Sequence, residues 1–117
     1  MKALTGGGRQ QRLVQKTMVG MLELRTTQVF NDFEASLKDV MGRARIQARI
    51  ERLRNGNAGD HRNLKGGVTE LRIDFGPGYR VYYTIRDDGS LIILLAGGVK
   101  ASQQADIEMA YELASQL

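Results

Sequence analysis

The stretch that decides the fold is Val68-Thr-Glu-Leu-Arg-Ile-Asp-Phe-Gly-Pro-Gly-Tyr-Arg-Val-Tyr-Tyr-Thr-Ile-Arg86. Its first half alternates, so that one side carries Thr69, Leu71, Ile73 and Phe75 and the other carries Val68, Glu70, Arg72 and Asp74. Its second half places Val81, Tyr83 and Ile85 on one side and Arg80, Tyr82, Thr84 and Arg86 on the other. Two alternating segments around Gly76-Pro77-Gly78 predict a β-hairpin with one aliphatic and aromatic buried face.

The hairpin turn is predicted from the residues between its two strands. Proline presets φ at the second position of a turn, and glycine accepts positive φ at the third, so Gly76-Pro77-Gly78 predicts a type II turn. A register that follows this turn brings Arg72, Arg80 and Tyr82 together on the other, exposed face of the hairpin.

Two guanidinium groups and a phenol on one sheet face suit a site for a nucleic-acid phosphate backbone. The alternative is a solvated face on which the arginines pair with Glu70 and Asp74. The hairpin alone slightly favours the solvated face, and the rest of the chain has to decide between the two interpretations.

Composition limits the class of protein. A chain of 117 residues is expected to form one small domain. It has no cysteine, which excludes a disulfide framework, a thiolate zinc site and a cysteine nucleophile, and which is compatible with a cytoplasmic location. The single histidine, His61, has no second ligand at metal-binding spacing, so neither a metal nor a cofactor is expected. No apolar run is long enough to span a membrane.

The formal net charge of +4 is unevenly distributed. Residues 1–20 contain four basic residues and no acid, so residues 21–117 are neutral. Within those, residues 43–80 hold nine basic side chains against four acidic ones. We therefore expect one positive face on a neutral domain (21–117), preceded by a flexible basic extension (1–20).

Two helices are predicted before the hairpin, after a short strand at residues 22–27. The first covers Gln28 to Val40, because Val29, Phe33, Leu37 and Met41 recur every four residues, and it ends at Gly42. The second runs from Arg43 to about Arg54 and carries five arginines. These are expected to be a solvated face, an RNA-contacting face or a dock for an acidic partner, and the candidates for contact with RNA or the ribosome are Arg45, Arg49 and Arg52.

The segment after the hairpin contains a turn at residues 87–90 and an apolar strand at Leu91–Ala96. Gly97 and Gly98 follow and allow close backbone approach beside Lys100. Ser102 is expected to cap a last helix whose inner stripe is Ile107, Ala110, Tyr111, Ala114 and Leu117. The predicted order is strand-helix-helix-strand-strand-strand-helix, an α+β domain with a small antiparallel sheet.

This order resembles the RelE/ParE toxin superfamily, and within it the HigB-like branch related to phage Gp49-type proteins. The resemblance covers about residues 22–113. Its most specific stretches are Thr69-Glu-Leu-Arg-Ile-Asp74 and Gly76-Pro-Gly-Tyr-Arg-Val-Tyr82, supported by Arg43 to Leu53, Gly59-Asp60 and Gly97-Gly98 with Lys100 and Gln103.

The resemblance implies a RelE-like fold and a toxin of a type II toxin–antitoxin system. It implies a metal-independent endoribonuclease that cuts mRNA on the ribosome and is neutralised by a helix-turn-helix, HigA-like antitoxin. Carried over to this chain, the catalytic candidates are Arg72, Arg80 and Lys100, and the further RNA-binding candidates are Gln103 and Gln104. Proximity to these positions adds Tyr82 as a catalytic candidate and Tyr79 as an RNA-binding candidate.

The chain departs from the family where proton transfer is expected. The resemblance leads us to look for a tyrosine or histidine near the C-terminus, but residues 104–107 read Gln-Ala-Asp-Ile and the first tyrosine is Tyr111. The residue that acts as base is left open. Two alternatives stay open with it: a ParE-type inhibitor of DNA gyrase without enzymatic activity, and an inactive toxin-derived binding module.

Overall fold

The computed structural model describes residues 22–117. In chain order these form β1 (Glu23–Thr26), α1 (Gln28–Ser36), α2 (Val40–Arg54), β2 (His61–Asn63), β3 (Val68–Ile73), β4 (Tyr79–Arg86), β5 (Leu91–Val99) and α3 (Gln103–Ser115), with short 3₁₀ turns at Lys65–Gly67 and Lys100–Ser102. The predicted basic extension at residues 1–20 lies outside the described residues.

One five-stranded sheet in the order β1-β5-β4-β3-β2 forms the centre of the fold. The strands β3, β4 and β5 are antiparallel neighbours, as the alternation and the tight turns predict. Two short strands extend this core, because β2 adds to β3 in antiparallel and β1 adds to β5 in parallel. The α+β prediction is confirmed. The strand β2 was not predicted, because its three exposed polar residues show no hydrophobic periodicity that would distinguish a strand from a loop.

The hairpin turn differs from the type II turn predicted at Gly76-Pro77-Gly78. The hydrogen bond that closes the turn runs from the Gly78 N–H to the Phe75 carbonyl at 3.0 Å. Gly76 therefore occupies the second turn position with φ 56°, and Pro77 occupies the third. The strand register is nevertheless the expected one, with Arg72 directly opposite Arg80.

The sheet is covered by helices on both faces. On one face α1 and α2 pack on the larger core, which contains Phe30, Ile46, Ile50, Leu53, Leu71, Ile73, Tyr79, Val81, Tyr83, Ile92 and Leu94. On the other face α3 packs on a smaller core through Ile107, Ala110 and Ala114. Tyr111 is half-buried, and Leu117, predicted in the buried stripe, is exposed. No helix within residues 22–117 is long and apolar enough to cross a membrane.

The boundary between α1 and α2 lies earlier than predicted. Thr27 caps α1 by accepting a hydrogen bond from the Phe30 N–H at 3.0 Å. The helix ends at Ser36, and Asp39 caps α2 by accepting a hydrogen bond from the Gly42 N–H, also at 3.0 Å. Val40 and Met41 then point into solvent, 79% and 58% exposed, so the predicted place of Met41 in the buried stripe is wrong.

Gly42 lies inside α2 instead of ending α1. A Cβ at this position would lie 2.6 Å from the ring of Tyr79, so the helix approaches the hairpin too closely for any side chain here. The Tyr79 hydroxyl donates to Asp39 Oδ2 at 3.1 Å, which anchors the start of the same helix. A glycine that permits close packing is indistinguishable in sequence from one that ends a helix.

The turn between β4 and β5 offers a route to a more stable protein. Asp87 and Asp88 adopt left-handed backbone conformations with φ of 56° and 59°. Glycine adopts this region without a steric penalty, so Asp88→Gly should raise the free energy of unfolding by about 0.5–1 kcal/mol. Urea denaturation measures the change. Asp88→Ala removes the same carboxylate but keeps a Cβ, and a gain in that control would contradict the backbone explanation.

Candidate active site

A cationic cleft opens beside the Phe75–Gly78 turn, on the part of the sheet face that α3 leaves uncovered. Its volume is about 260 Å³, and it is lined by Asp60, Arg72, Asp74, Gly78, Arg80 and Lys100. The six positions come from the ends of four neighbouring strands, since Asp60 precedes β2 and Lys100 follows β5. Three cations against two carboxylates give the cleft a net positive charge, which suits an anionic ligand.

The strand register explains why the three cations meet. Arg72 on β3 lies directly opposite Arg80 on β4, and Arg80 lies opposite Gly98 on β5. Lys100 follows two residues later and packs where a side chain on Gly78 would lie, with its Cβ 3.2 Å from that position. The structure thus brings together three of the four sequence-predicted catalytic candidates.

Asp60 is a partner of Arg72 that the sequence analysis missed. Its Oδ1 accepts from Arg72 Nη2 at 2.8 Å and from Arg72 Nε at 3.2 Å. The expected partners of the arginines were Glu70 and Asp74. The Asp60 carboxylate fixes the orientation of Arg72, whose side chain remains 38% exposed at the cleft.

Glu70 lies beneath the cleft and organises Arg80. Its side chain is 0% exposed. Gln103 Nε2 donates to Glu70 Oε2 at 2.7 Å, and Arg62 Nε lies 3.3 Å from Oε1. Arg80 Nε lies 3.8 Å from Oε2, too far for a hydrogen bond but close enough for electrostatic attraction. The Arg80 side chain is only 12% exposed, so Glu70 supplies the negative charge that makes its burial tolerable.

Gly98 lets the first turn of α3 close over the sheet next to Arg80. A Cβ on Gly98 would overlap the Asp106 carboxylate, which lies directly against this backbone. Ser102 donates to the same carboxylate at 2.6 Å and makes no capping bond to a helix N–H, contrary to the predicted cap. Gly98 therefore serves the packing of α3 against β5, whereas Gly97 lets Phe33 of α1 pack against the other face of the strand.

Tyr82 does not reach the cleft. It shares a face with Arg72 and Arg80, as the register predicts, but it is 0% exposed because α3 covers it. The prediction that this face carries an exposed tyrosine is therefore wrong. Burial, together with the charge of Glu70, raises the pKa of the Tyr82 phenol above its ordinary value of 10.0. Its hydroxyl therefore stays protonated at neutral pH, and the side chain does not line the cleft.

The raised pKa of Tyr82 predicts an alkaline stability profile. Below pH 10 the phenol is neutral in both the folded and the unfolded chain, so it adds no pH dependence. Above pH 10 it ionises first in the unfolded chain, and the free energy of unfolding falls by about 1.4 kcal/mol per pH unit. Tyr82→Phe should remove this contribution in urea denaturation measured between pH 10 and 11. An unchanged slope would contradict the assignment.

Tyr79, an RNA-binding candidate, lies on the opposite face of the sheet. It is buried against α2, and burial together with the hydrogen bond to Asp39 raises its pKa. The ring therefore supports the fold and does not face the cleft.

The three arginine candidates of α2 have different environments. The Arg49 guanidinium donates to the backbone carbonyls of Arg72, Ala58 and Asp60 at 2.6, 2.9 and 3.0 Å. Burial and the nearby charge of Arg52 lower its pKa, and its donors hold the loop that carries Asp60 in place. Arg45 stacks over Phe75 with 4.6 Å to the ring centroid, and Arg52 is exposed. Of the three, Arg45 and Arg52 therefore present exposed charge, on the helix that packs against the opposite face of the sheet from the cleft.

The two glutamine candidates also differ in burial and in hydrogen-bond partner. Gln103 is half-buried and uses its amide to bind Glu70, so it joins the support of Arg80. Gln104 is exposed, and its amide donates to Glu108 within the same helix at 3.1 Å. Neither lines the cleft.

A larger hollow of about 350 Å³ lies elsewhere, at the C-terminal end of α3. It is lined by Lys65, Gly66, Tyr111, Ala114 and Ser115, and the Lys65 ammonium lies 5.1 Å from the centroid of the Tyr111 ring. It contains one cation, already placed over that ring, and no carboxylate. The chemistry of the smaller cleft makes that cleft the candidate active site.

Structural comparison identifies the class of fold. The chain is similar to a free-state structure of the E. coli toxin RelE carrying two arginine-to-alanine substitutions, with a TM-score of 0.61 at 15% identity over 82% of this chain and 96% of that one. The strands, the helices and their arrangement are those of the RelE fold.

Sequence comparison then gives the family. Residues 28–116 match the model of the phage-derived Gp49-like proteins, and the chain belongs to this family. An uncharacterised protein of Haemophilus influenzae is 45% identical over 96 residues, which cover 82% of this chain and 96% of that protein. Membership of the RelE-like superfamily, predicted from the hairpin and its flanks, is confirmed.

Proposed function

We propose that this protein is the toxin of a type II toxin–antitoxin system and that it cleaves mRNA on the ribosome. The observation that carries the proposal is the convergence of Arg72, Arg80 and Lys100 in one cleft of about 260 Å³ on a RelE-like fold. Three cations at strand ends fit a phosphodiester with charge developing on its phosphoryl oxygens.

For this reaction the protein has to stabilise the developing negative charge and to orient the reacting groups. The 2′-oxygen of the RNA attacks the adjacent phosphorus, and the bond from phosphorus to the 5′-oxygen breaks. Negative charge grows on the two non-bridging oxygens, where Arg72 and Arg80 donate from preorganised positions. Before the substrate arrives, Asp60 orients Arg72 through hydrogen bonds, and the charge of Glu70 attracts Arg80 from beneath the cleft.

Lys100 is the donor for the leaving oxygen. It is exposed at the rim of the cleft, and among the described residues its ammonium has no hydrogen-bond or ion-pair partner. A cation at this position can protonate the departing 5′-oxygen, a role that typically contributes about 10²–10⁴-fold in rate.

The ribosome supplies the alignment that a small open cleft lacks. Holding the 2′-oxygen, phosphorus and 5′-oxygen in line contributes about 7–11 kcal/mol at most to lowering the barrier. Arg45 and Arg52 carry exposed charge on α2 and would contact the RNA backbone of the ribosome. The further partners in this proposal are mRNA and a helix-turn-helix, HigA-like antitoxin, and the location is the cytoplasm.

Brief induction without antitoxin tests the proposal in cells. Pulse labelling should show loss of protein synthesis, and RNA 5′-end mapping should show new ends inside coding regions. Lys100→Ala should abolish both effects. The matched control is Arg25→Ala, which removes an exposed arginine from β1 at the far edge of the sheet and should stay toxic.

Two other outcomes would replace the proposal. Intact mRNA with stalled replication would place the protein with inhibitors of DNA gyrase of the ParE type. Harmless expression of a folded protein would indicate a toxin-derived binding module without activity.

A further inference from the structure

Cleavage by 2′-oxygen attack needs a group that accepts the proton of the hydroxyl. Within residues 22–117 the cleft lining contains two side chains able to do so, Asp60 and Asp74. Neither was a candidate in the sequence analysis, which looked for a tyrosine or histidine near the C-terminus. Carboxylates serve as general bases when they lie within hydrogen-bond reach of the proton.

The described histidine and the tyrosines of the sheet are excluded by their positions. His61 pairs with Leu71, and residues directly opposite in a sheet share a face, so its side chain lies on the α2 side. Tyr79 and Tyr83 are buried on that same side. Tyr82 is buried beneath α3.

Asp60 and Asp74 differ in how far they are already engaged. Asp60 accepts two hydrogen bonds from Arg72 at 2.8 and 3.2 Å, so its lone pairs serve to orient that guanidinium. Asp74 is exposed, and its carboxylate makes no hydrogen bond or ion pair with another side chain within residues 22–117. It is the carboxylate that can accept a proton without releasing a catalytic arginine.

The position of Asp74 fits an in-line reaction. It follows Arg72 by two residues on the same face of the hairpin, at the end of β3. Arg80 stands on the next strand, and Lys100 follows the strand after that. Two strand spacings amount to about 10 Å, which accommodates a phosphoryl group and a hydrogen bond of about 2.8 Å on either side.

We propose that Asp74 is the general base of this cleft, an inference that rests on the proposed function. The Asp74 carboxylate takes the proton of the 2′-hydroxyl as the bond from the 2′-oxygen to phosphorus forms. The bond from phosphorus to the 5′-oxygen breaks, and Lys100 gives its proton to that oxygen. The products are a 2′,3′-cyclic phosphate and a 5′-hydroxyl, and solvent restores both side chains to their starting protonation states.

Single-turnover cleavage on ribosomes programmed with a mapped target mRNA tests the assignment. Asp74→Asn keeps the size of the side chain but removes the base, and the rate constant should fall by about 10²–10⁴-fold. Asp74→Glu restores a carboxylate and should recover part of the loss. The matched control, Asp32→Asn, changes an exposed aspartate in α1 and should leave the rate unchanged.

An RNA with a modified leaving group distinguishes the loss of the general base from the loss of the general acid. With sulfur in place of the 5′-bridging oxygen at the cleavage position, departure no longer needs a proton. Lys100→Ala should regain most of its rate on this RNA, whereas Asp74→Asn should remain slow. A side chain that merely supported the fold would not show this difference.

The possible results distinguish an error in the role of Asp74 from an error in the proposed function. Wild-type cleavage with an equally active Asp74→Asn variant would overturn the role of Asp74 and leave the proposed function standing. Rescue of Asp74→Asn by the sulfur substrate would also overturn it, because a base defect is not relieved by a better leaving group. Absence of wild-type cleavage on ribosomes would overturn the proposed function and the role of Asp74 together.

Discussion

Arg80→Ala should lower the single-turnover rate of mRNA cleavage by at least about 10²–10³-fold, the usual cost of losing one preorganised donor to a developing oxyanion. Arg80 stands in the middle of the cleft, between Arg72 and the strand that leads to Lys100. Its side chain is 12% exposed, so water cannot readily replace the lost guanidinium. Cleavage is measured by gel on ribosomes with a defined mRNA.

Controls must separate this loss of rate from a loss of fold, because Arg80 also balances the buried charge of Glu70. Arg80→Lys keeps the positive charge but lacks the planar guanidinium with its paired N–H donors. Its cleavage rate should therefore lie between those of the wild type and Arg80→Ala. Arg25→Ala should cleave normally. A folded Arg80→Ala variant that retains more than about a third of the wild-type rate would exclude Arg80 from the site.

Glu70→Ala should lower the free energy of unfolding by about 3 kcal/mol, the largest effect on stability expected of a single polar side chain here. The substitution leaves Arg80 without its nearby carboxylate and leaves the Gln103 amide without its acceptor. The low end of the usual range of about 3–5 kcal/mol applies, because Arg62, the third partner, is 48% exposed and can rehydrate. Urea denaturation at neutral pH measures the change.

An exposed glutamate provides the control for this second effect. Glu51 on α2 is 58% exposed and lies 3.8 Å from Arg54, so Glu51→Ala should change stability by less than about 0.5 kcal/mol. Glu70→Gln keeps the shape and should lie between the wild type and alanine. A loss below about 1 kcal/mol in Glu70→Ala would show that Glu70 does not stabilise the buried cation.

The hairpin was predictable because its two strands alternate over a buried face. A slip of one residue in the pairing would expose Leu71 and Val81, so burial specifies a single strand register. That register was predicted correctly although the turn between the strands was assigned to the wrong residues. The order of the elements and the RelE-like class followed from the same stretch and its flanks.

The end of α1 was not predictable from periodicity. The spacing that starts with Val29 and Phe33 continues through Leu37 to Met41, as it would in one long helix. Local capping by Asp39 outweighs that spacing and turns Met41 outward. A hydrophobic period therefore identifies a helix more reliably than it identifies the end of one.

The candidate site was predictable as a set of cations but not as a cavity. Alternation placed Arg72, Arg80 and Tyr82 on one face, but the part of that face covered by α3 depends on tertiary packing. That packing buries Tyr82 and leaves the arginines at the open end. Glu70 was named from the sequence as a partner of the arginines, but Asp60 becomes visible only through its distance to Arg72.

Ribosome-dependent cleavage of mRNA is tested most directly with the wild-type protein and purified ribosomes that hold a defined codon in the A site. We expect cleavage of the mRNA within that codon, only when ribosomes are present, with a 2′,3′-cyclic phosphate and a 5′-hydroxyl at the new ends. Intact mRNA with the protein in excess over ribosomes, or new ends carrying a 5′-phosphate, would contradict it.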